Sequence, residues 1–99
     1  DMEVFATPAM VALMENAAMK AVAAELSEGA TTVGAMMNTS HIKPSPLGAE
    51  VSATAVLTEV DGRKLTFSVK ASDEAGVVGE GTHIRYIVDR ERFLSKLNK

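Results

Sequence analysis

Cysteine and tryptophan are both missing from this 99-residue chain, and only three Phe and one Tyr supply its aromatic side chains. Without cysteine there can be no disulfide framework, no CxxC redox pair and no thiolate zinc site. Long hydrophobic stretches are missing too: the longest uninterrupted one runs from Ala9 to Met14, far short of the roughly 20 residues of a membrane-crossing helix. No basic run leads into an apolar one in the manner of a secretory signal, so a cytoplasmic address is the expectation. Charge of one sign is nowhere concentrated, and the net charge is −3. Nucleic-acid binding usually needs a basic patch or stripe, so neither nucleic acid nor a membrane is expected as a partner.

What is present is ordinary globular material, 46% hydrophobic and 23% charged, in a length that makes one domain spanning 1–99. A chain this small buries only about 60–70% of its unfolded surface, so pairing with a second copy is expected. The segment from Pro8 to about Leu26 reads as a helix. Thr7 is a good N-cap type, and Pro8 suits the first helical position. Met10, Leu13, Met14, Ala17, Ala18, Ala21 and Val22 fall on one face at helical spacing. The opposite face holds Ala12, Asn16, Met19, Lys20 and Ala23 and is only weakly polar, which predicts a helix covered on more than one side.

Beyond Gly29 the pattern changes to period two. A strand is expected over Thr31 to Ile42, ending at the turn Pro44-Ser45-Pro46-Leu47-Gly48. Val51, Ala53, Ala55 and Leu57 share one face of the next strand, and Asp61-Gly62 is a hairpin signal. Leu65, Phe67, Val69 and Ala71 alternate with polar neighbours, Ala75-Gly76 turns the chain again, and Val77 to Val88 forms a long last strand. Asp89 can cap a short helix over Arg90 to Leu97. One apolar helix followed by hairpin-linked strands predicts an α+β fold, an antiparallel sheet wrapped around the helix. Four strands are few for a five-turn helix, so an upstream strand or a second subunit is expected to complete the wrap.

Few side chains suggest chemistry. Glu15 is a carboxylate amid Ala, Met, Leu and Val; it can simply pair with a cation, or act as a partly desolvated base or nucleophile. His41 lies at the end of a strand before a Pro-rich turn; the common case is a surface histidine, the other a pocket-mouth catalyst. His83 sits mid-strand with no partner evident from spacing, and the two histidines lack metal-ligand spacing. Capping alone explains Thr7, although a helix N-terminus also favours developing negative charge. Gly34 implies a bulge or a close approach of backbone to ligand; Gly79 and Gly81 read the same way, although strand curvature is enough to explain them.

Together, Val4-Phe5-Ala6-Thr7-Pro8 leading to Leu13-Met14-Glu15, Thr39-Ser40-His41 with Pro46-Leu47-Gly48, and Gly79-Glu80-Gly81-Thr82-His83-Ile84-Arg85 resemble the fluoroacetyl-CoA thioesterase family of the hotdog superfamily. The hairpin from Leu57 to Leu65 fits as well, so nearly the whole chain is covered. The resemblance implies a dimeric hotdog fold that hydrolyses an acyl-CoA to free acid and CoA. It implies no metal and no cofactor, CoA being part of the substrate. Thr7, Glu15 and His41 match that family's catalytic positions. Gly34 matches the position that brings a backbone amide to the thioester oxygen, and Arg85 an arginine near the acyl pocket. The family's fluoroacetyl-selective lid has no counterpart in these residues, so a short or medium acyl-CoA is the expected substrate. Lys43, Arg63, Lys64, Arg90 and Arg92 are candidate partners for the CoA phosphates.

Two other classes fit the same fold. A non-catalytic acyl-CoA-binding module would not need Thr7, Glu15 and His41 together. A hydratase or dehydratase would pair an Asp with a His a few residues on, and no Asp-x(4)-His run occurs.

Overall fold

The computed structural model describes residues 7–43 and 48–97. A helix α1 (Thr7–Val22) tightens into a 3₁₀ turn (Ala23–Glu25) and is followed by four strands: β1 (Ala30–His41), β2 (Ser52–Asp61), β3 (Lys64–Asp73) and β4 (Gly76–Asp89). A second helix, α2 (Arg90–Leu97), ends the described chain. The strands form one antiparallel sheet in the order β1-β4-β3-β2, and α1 packs on one face of it.

The turns follow from their residues. Gly62 has φ +60° and Arg63 a negative φ; glycine first in a two-residue loop is the II′ pattern, whose twist suits a hairpin. Asp89 accepts a hydrogen bond from the Arg92 backbone N–H through Oδ1 at 2.9 Å, the N-cap contact expected for α2. Gly29, at φ +84°, belongs to the turn that enters β1. Of the expected Pro44–Gly48 turn, residues 44–47 lie outside the described residues.

The core is a line meeting a row. Met10, Met14, Ala18 and Val22, each four residues from the last, are buried on α1. They pack on Leu65, Phe67, Val69 and Ala71, the inward alternate residues of β3, and on Val78 of β4. Each such Met, Val, Leu or Phe contributes about 1.5–3 kcal/mol when fully buried. Val51, Ala53 and Ala55 of the β2 side pack against this core as their alternation predicts. Leu57 stays exposed, although it pairs with buried Phe67. The second face of α1 differs from expectation: Ala12, Met19 and Ala23 are exposed, so the described residues cover the helix on one side only.

Of the three one-residue register slips in the sheet, one of them at Thr58 of β2, two set which side chains of β1 and β4 meet the helix. In β1 the register slips between Gly34 and Met36, and in the β3–β4 pair it slips at Ala71/Ser72, where Val78 is the extra residue. An extra residue reverses the alternation of everything beyond it. Thr32 and Gly34 therefore share the inner face with Met37, Thr39 and His41, despite the change of parity. On β4 the inner face becomes Gly79, Gly81, His83 and Arg85, opposite Ala71, Val69, Phe67 and Leu65.

Candidate active site

An inner sheet face that carries a histidine and an arginine is the most informative departure from an apolar core. His83 is 1% exposed and Arg85 5%. The Arg85 guanidinium donates from Nε to Thr32 Oγ1 and from Nη2 to the Thr32 carbonyl, both at 2.8 Å. Its Nη1 lies 3.2 Å from His83 Nε2. Burial holds the guanidinium below its ordinary pKa, and the nearby Glu15 carboxylate partly offsets that effect.

Glu15 reaches this cluster from the helix. At Gly34 on β1, a Cβ would stand 3.3 Å from Arg85 Nη1, 3.4 Å from His83 Cε1 and 3.5 Å from Glu15 Oε2. The glycine thus leaves a gap walled by a carboxylate, a guanidinium and an imidazole. The bulge expected at Gly34 is present, since the register slips directly after it. Next to this cluster, a cavity of about 360 Å³ between α1 and the start of β1 is lined by Asn16, Met19, Lys20, Thr31, Thr32 and Arg90, among others. Thr32 is shared between the two, and of the candidate phosphate partners Arg90 borders this cavity.

At the other end of β1, Thr7 Oγ1 and His41 Nδ1 are hydrogen-bonded at 2.7 Å. The hydroxyl expected to cap the helix therefore reaches across to the sheet. His41 Nε2 is buried and has no hydrogen-bond partner among the described residues. A buried polar atom left unsatisfied costs about 1–3 kcal/mol, so it is an informative exception.

The five residues singled out in the sequence thus fall into two groups, Thr7 with His41 and Glu15 with Gly34 and Arg85. Thr7 and Glu15 are eight positions apart on the helix, which is about 12 Å along the axis. His83 and Thr32 escaped sequence reasoning, because only the register of β4 against β1 and β3 reveals their partners. Among the described residues, no group of three or more His, Asp or Glu is placed to hold a metal ion. None of the described helices is long and apolar enough to cross a membrane.

The family model for fluoroacetyl-CoA-specific thioesterase matches residues 1–91. The chain belongs to this family. A fluoroacetyl-CoA thioesterase of Streptantibioticus cattleyicolor is 39% identical over 97 residues, which are 98% of this chain and 70% of that protein. The solved structure of a mutant fluoroacetyl-CoA-specific thioesterase in complex with fluoroacetate and CoA superposes with a TM-score of 0.91 at 39% identity, over 96% of this chain and 74% of that one. A hotdog-like protein from Thermanaerovibrio acidaminovorans superposes with a TM-score of 0.90 at 27% identity, over 96% and 70% of the two chains. The fold is therefore the hotdog fold, and membership makes the chain a thioester hydrolase.

Proposed function

We propose that this thioesterase hydrolyses a short or medium acyl-CoA to a free acid and CoA, using Thr7, Glu15 and His41. The observation that carries this is the Thr7–His41 hydrogen bond, which orients a ring whose other nitrogen is buried with no partner among the described residues. That nitrogen is free to exchange a proton with whatever enters the site. In the reaction the Glu15 carboxylate attacks the thioester carbonyl carbon, or takes a proton from the water that attacks it. The C–O bond forms, the C–S bond breaks, and His41 protonates the departing thiolate; where Glu15 is the nucleophile, water then cleaves the resulting acyl–Glu15 anhydride, which releases the free acid and restores the carboxylate. Gly34 lets a backbone amide approach the thioester oxygen, and Arg85 stands at the acyl end beside Glu15. None of these steps calls on a metal or a further cofactor. An acyl-CoA substrate also suits the cytoplasmic address expected from composition.

The enzyme acts as a homodimer in this proposal. On its outer side β1 pairs with no described strand, and Gly34, Ala35 and Met36 are consecutively exposed there. Antiparallel pairing of β1 with the β1 of a second copy would set the His41 end of one chain beside the Gly34 end of the other. That would close the separation between the two groups of residues.

Release of free CoA, followed with a thiol reagent across acyl-CoAs of increasing chain length, tests the assignment. The protein has no cysteine to react with the reagent. Glu15→Ala and His41→Ala are each expected to lower turnover by about a hundredfold or more. Near-native turnover in either variant would remove that residue from the mechanism.

A further inference from the structure

His83 takes no part in the chemistry above, yet it is among the most deeply buried polar side chains described, at 1% exposure. Its two partners fix its state. Nδ1 lies 2.7 Å from the Met36 carbonyl oxygen, which can only accept, so Nδ1 carries the proton. Nε2 lies 3.2 Å from Arg85 Nη1, which can only donate, so Nε2 offers its lone pair. The ring is therefore the neutral Nδ1–H tautomer. Protonation of Nε2 would set N–H against N–H and positive charge against positive charge. Met36 is the residue just past the β1 bulge, so the ring ties the bulged backbone to the guanidinium. The ring also packs on Phe67, with centroids 6.2 Å apart, which limits its freedom to tilt.

We propose that His83 is a positioning residue for Arg85: its bare Nε2 holds Nη1 at the gap beside Gly34, facing Glu15. Thr32 grips the guanidinium at Nε and Nη2 and His83 at Nη1, so the plane is held at all three nitrogens. A fork fixed in this way presents its remaining N–H groups in one direction, and misplacing such a group by about 1 Å can cost a hundredfold in rate. The proposal rests on the thioesterase reading for its consequence in rate, but not for its geometry.

Two substitutions separate the two hydrogen bonds of the ring. His83→Asn retains a donor near the position of Nδ1 and withdraws the acceptor from Arg85. His83→Gln places an acceptor near the position of Nε2 and gives up the bond to Met36. We expect His83→Asn to lower kcat by about ten- to a hundredfold with KM within about twofold, and His83→Gln to stay within about threefold of the parent. A merely structural histidine predicts instead that activity follows melting temperature in both variants. A folded Asn variant with full activity, or a Gln variant as impaired as the Asn one, would overturn the proposal. The geometry has its own test in the long-range ¹H–¹⁵N spectrum of the unmodified protein, which should show His83 protonated at Nδ1 and bare at Nε2 at neutral pH. An Nε2–H or doubly protonated ring would overturn the proposal whatever the kinetics. Absence of turnover on every acyl-CoA in the unmodified protein would remove the hydrolase reading alone, since the ring spectrum judges the positioning without it.

Discussion

Gly34 and Gly81 both lack a Cβ on the inner face of the sheet, but what each absence makes room for differs. A Cβ on Gly81 would collide with the Asn38 carbonyl oxygen and stand 2.6 Å from Thr39 Cα, both backbone atoms of the paired strand. Backbone cannot swing aside, so Gly81→Ala is expected to destabilise the protein by about 3 kcal/mol, measurable by urea unfolding. A methyl on Gly34 would meet three side-chain tips at 3.3–3.5 Å and no backbone, so a shift of a few tenths of an ångström at Arg85 Nη1 accommodates it. Gly34→Ala should therefore unfold within about 1 kcal/mol of the parent. It would fill the gap between Glu15 and Arg85, and kcat/KM is expected to drop at least about tenfold. Loss of stability in Gly34→Ala with activity retained would make that glycine a packing residue only.

At the scale of the element, the β1 bulge decides which residues can cooperate. Gly34 and His41 are seven positions apart, an odd number, so a regular strand would turn them to opposite faces. Ala35 is the extra residue that restores both to the helix side. Deleting Ala35 should leave a folded sheet by circular dichroism but turn one end of β1 outward, with turnover falling at least about a hundredfold. Retained activity would show that the bulge is incidental. The helix contributes in the same geometric way. Its buried line, Met10 to Val22 in steps of four, sets its rotation on the sheet, and that rotation leaves Glu15 half-buried on the flank over Arg85 rather than in water.

The whole molecule is less compact than its size suggests. Its radius of gyration is 15.1 Å, against about 13 Å for a compact domain of 100 residues. An open sheet with one helix on one face has this shape, and a second copy would cover what is left bare. A site built from both copies makes a prediction that a site within one chain does not. Glu15→Ala and His41→Ala homodimers should each be inactive, whereas mixing them after unfolding and refolding should restore about a quarter of parental turnover, since half the dimers are mixed and each has one intact site. No recovery in a mixture shown to contain mixed dimers would place the whole site within one chain.

The sequence by itself determined the element order, the hairpins and the apolar rows, because these follow from local propensity and from periods of 3.6 and 2 within each segment. Leu65, Phe67, Val69 and Ala71 are buried as their alternation demands, and Asp89 caps α2 as its residue type predicts. Thr7, Glu15 and His41 stand out in the sequence as unusual residues and by resemblance, and Gly34 as a bulge or close approach. Tertiary structure alone decided who meets whom. On β4 the apolar residues Val78, Ile84, Tyr86 and Val88 suggest that the even-numbered side faces the core, which would leave His83 and Arg85 outside. The bulge at Val78 reverses that parity and buries both. A bulge is settled by pairing between strands distant in sequence, and the identity of a single residue does not specify it. The same holds for the Thr7–His41 bond, which joins residues 34 apart and exists only because the helix N-terminus packs over the far end of β1.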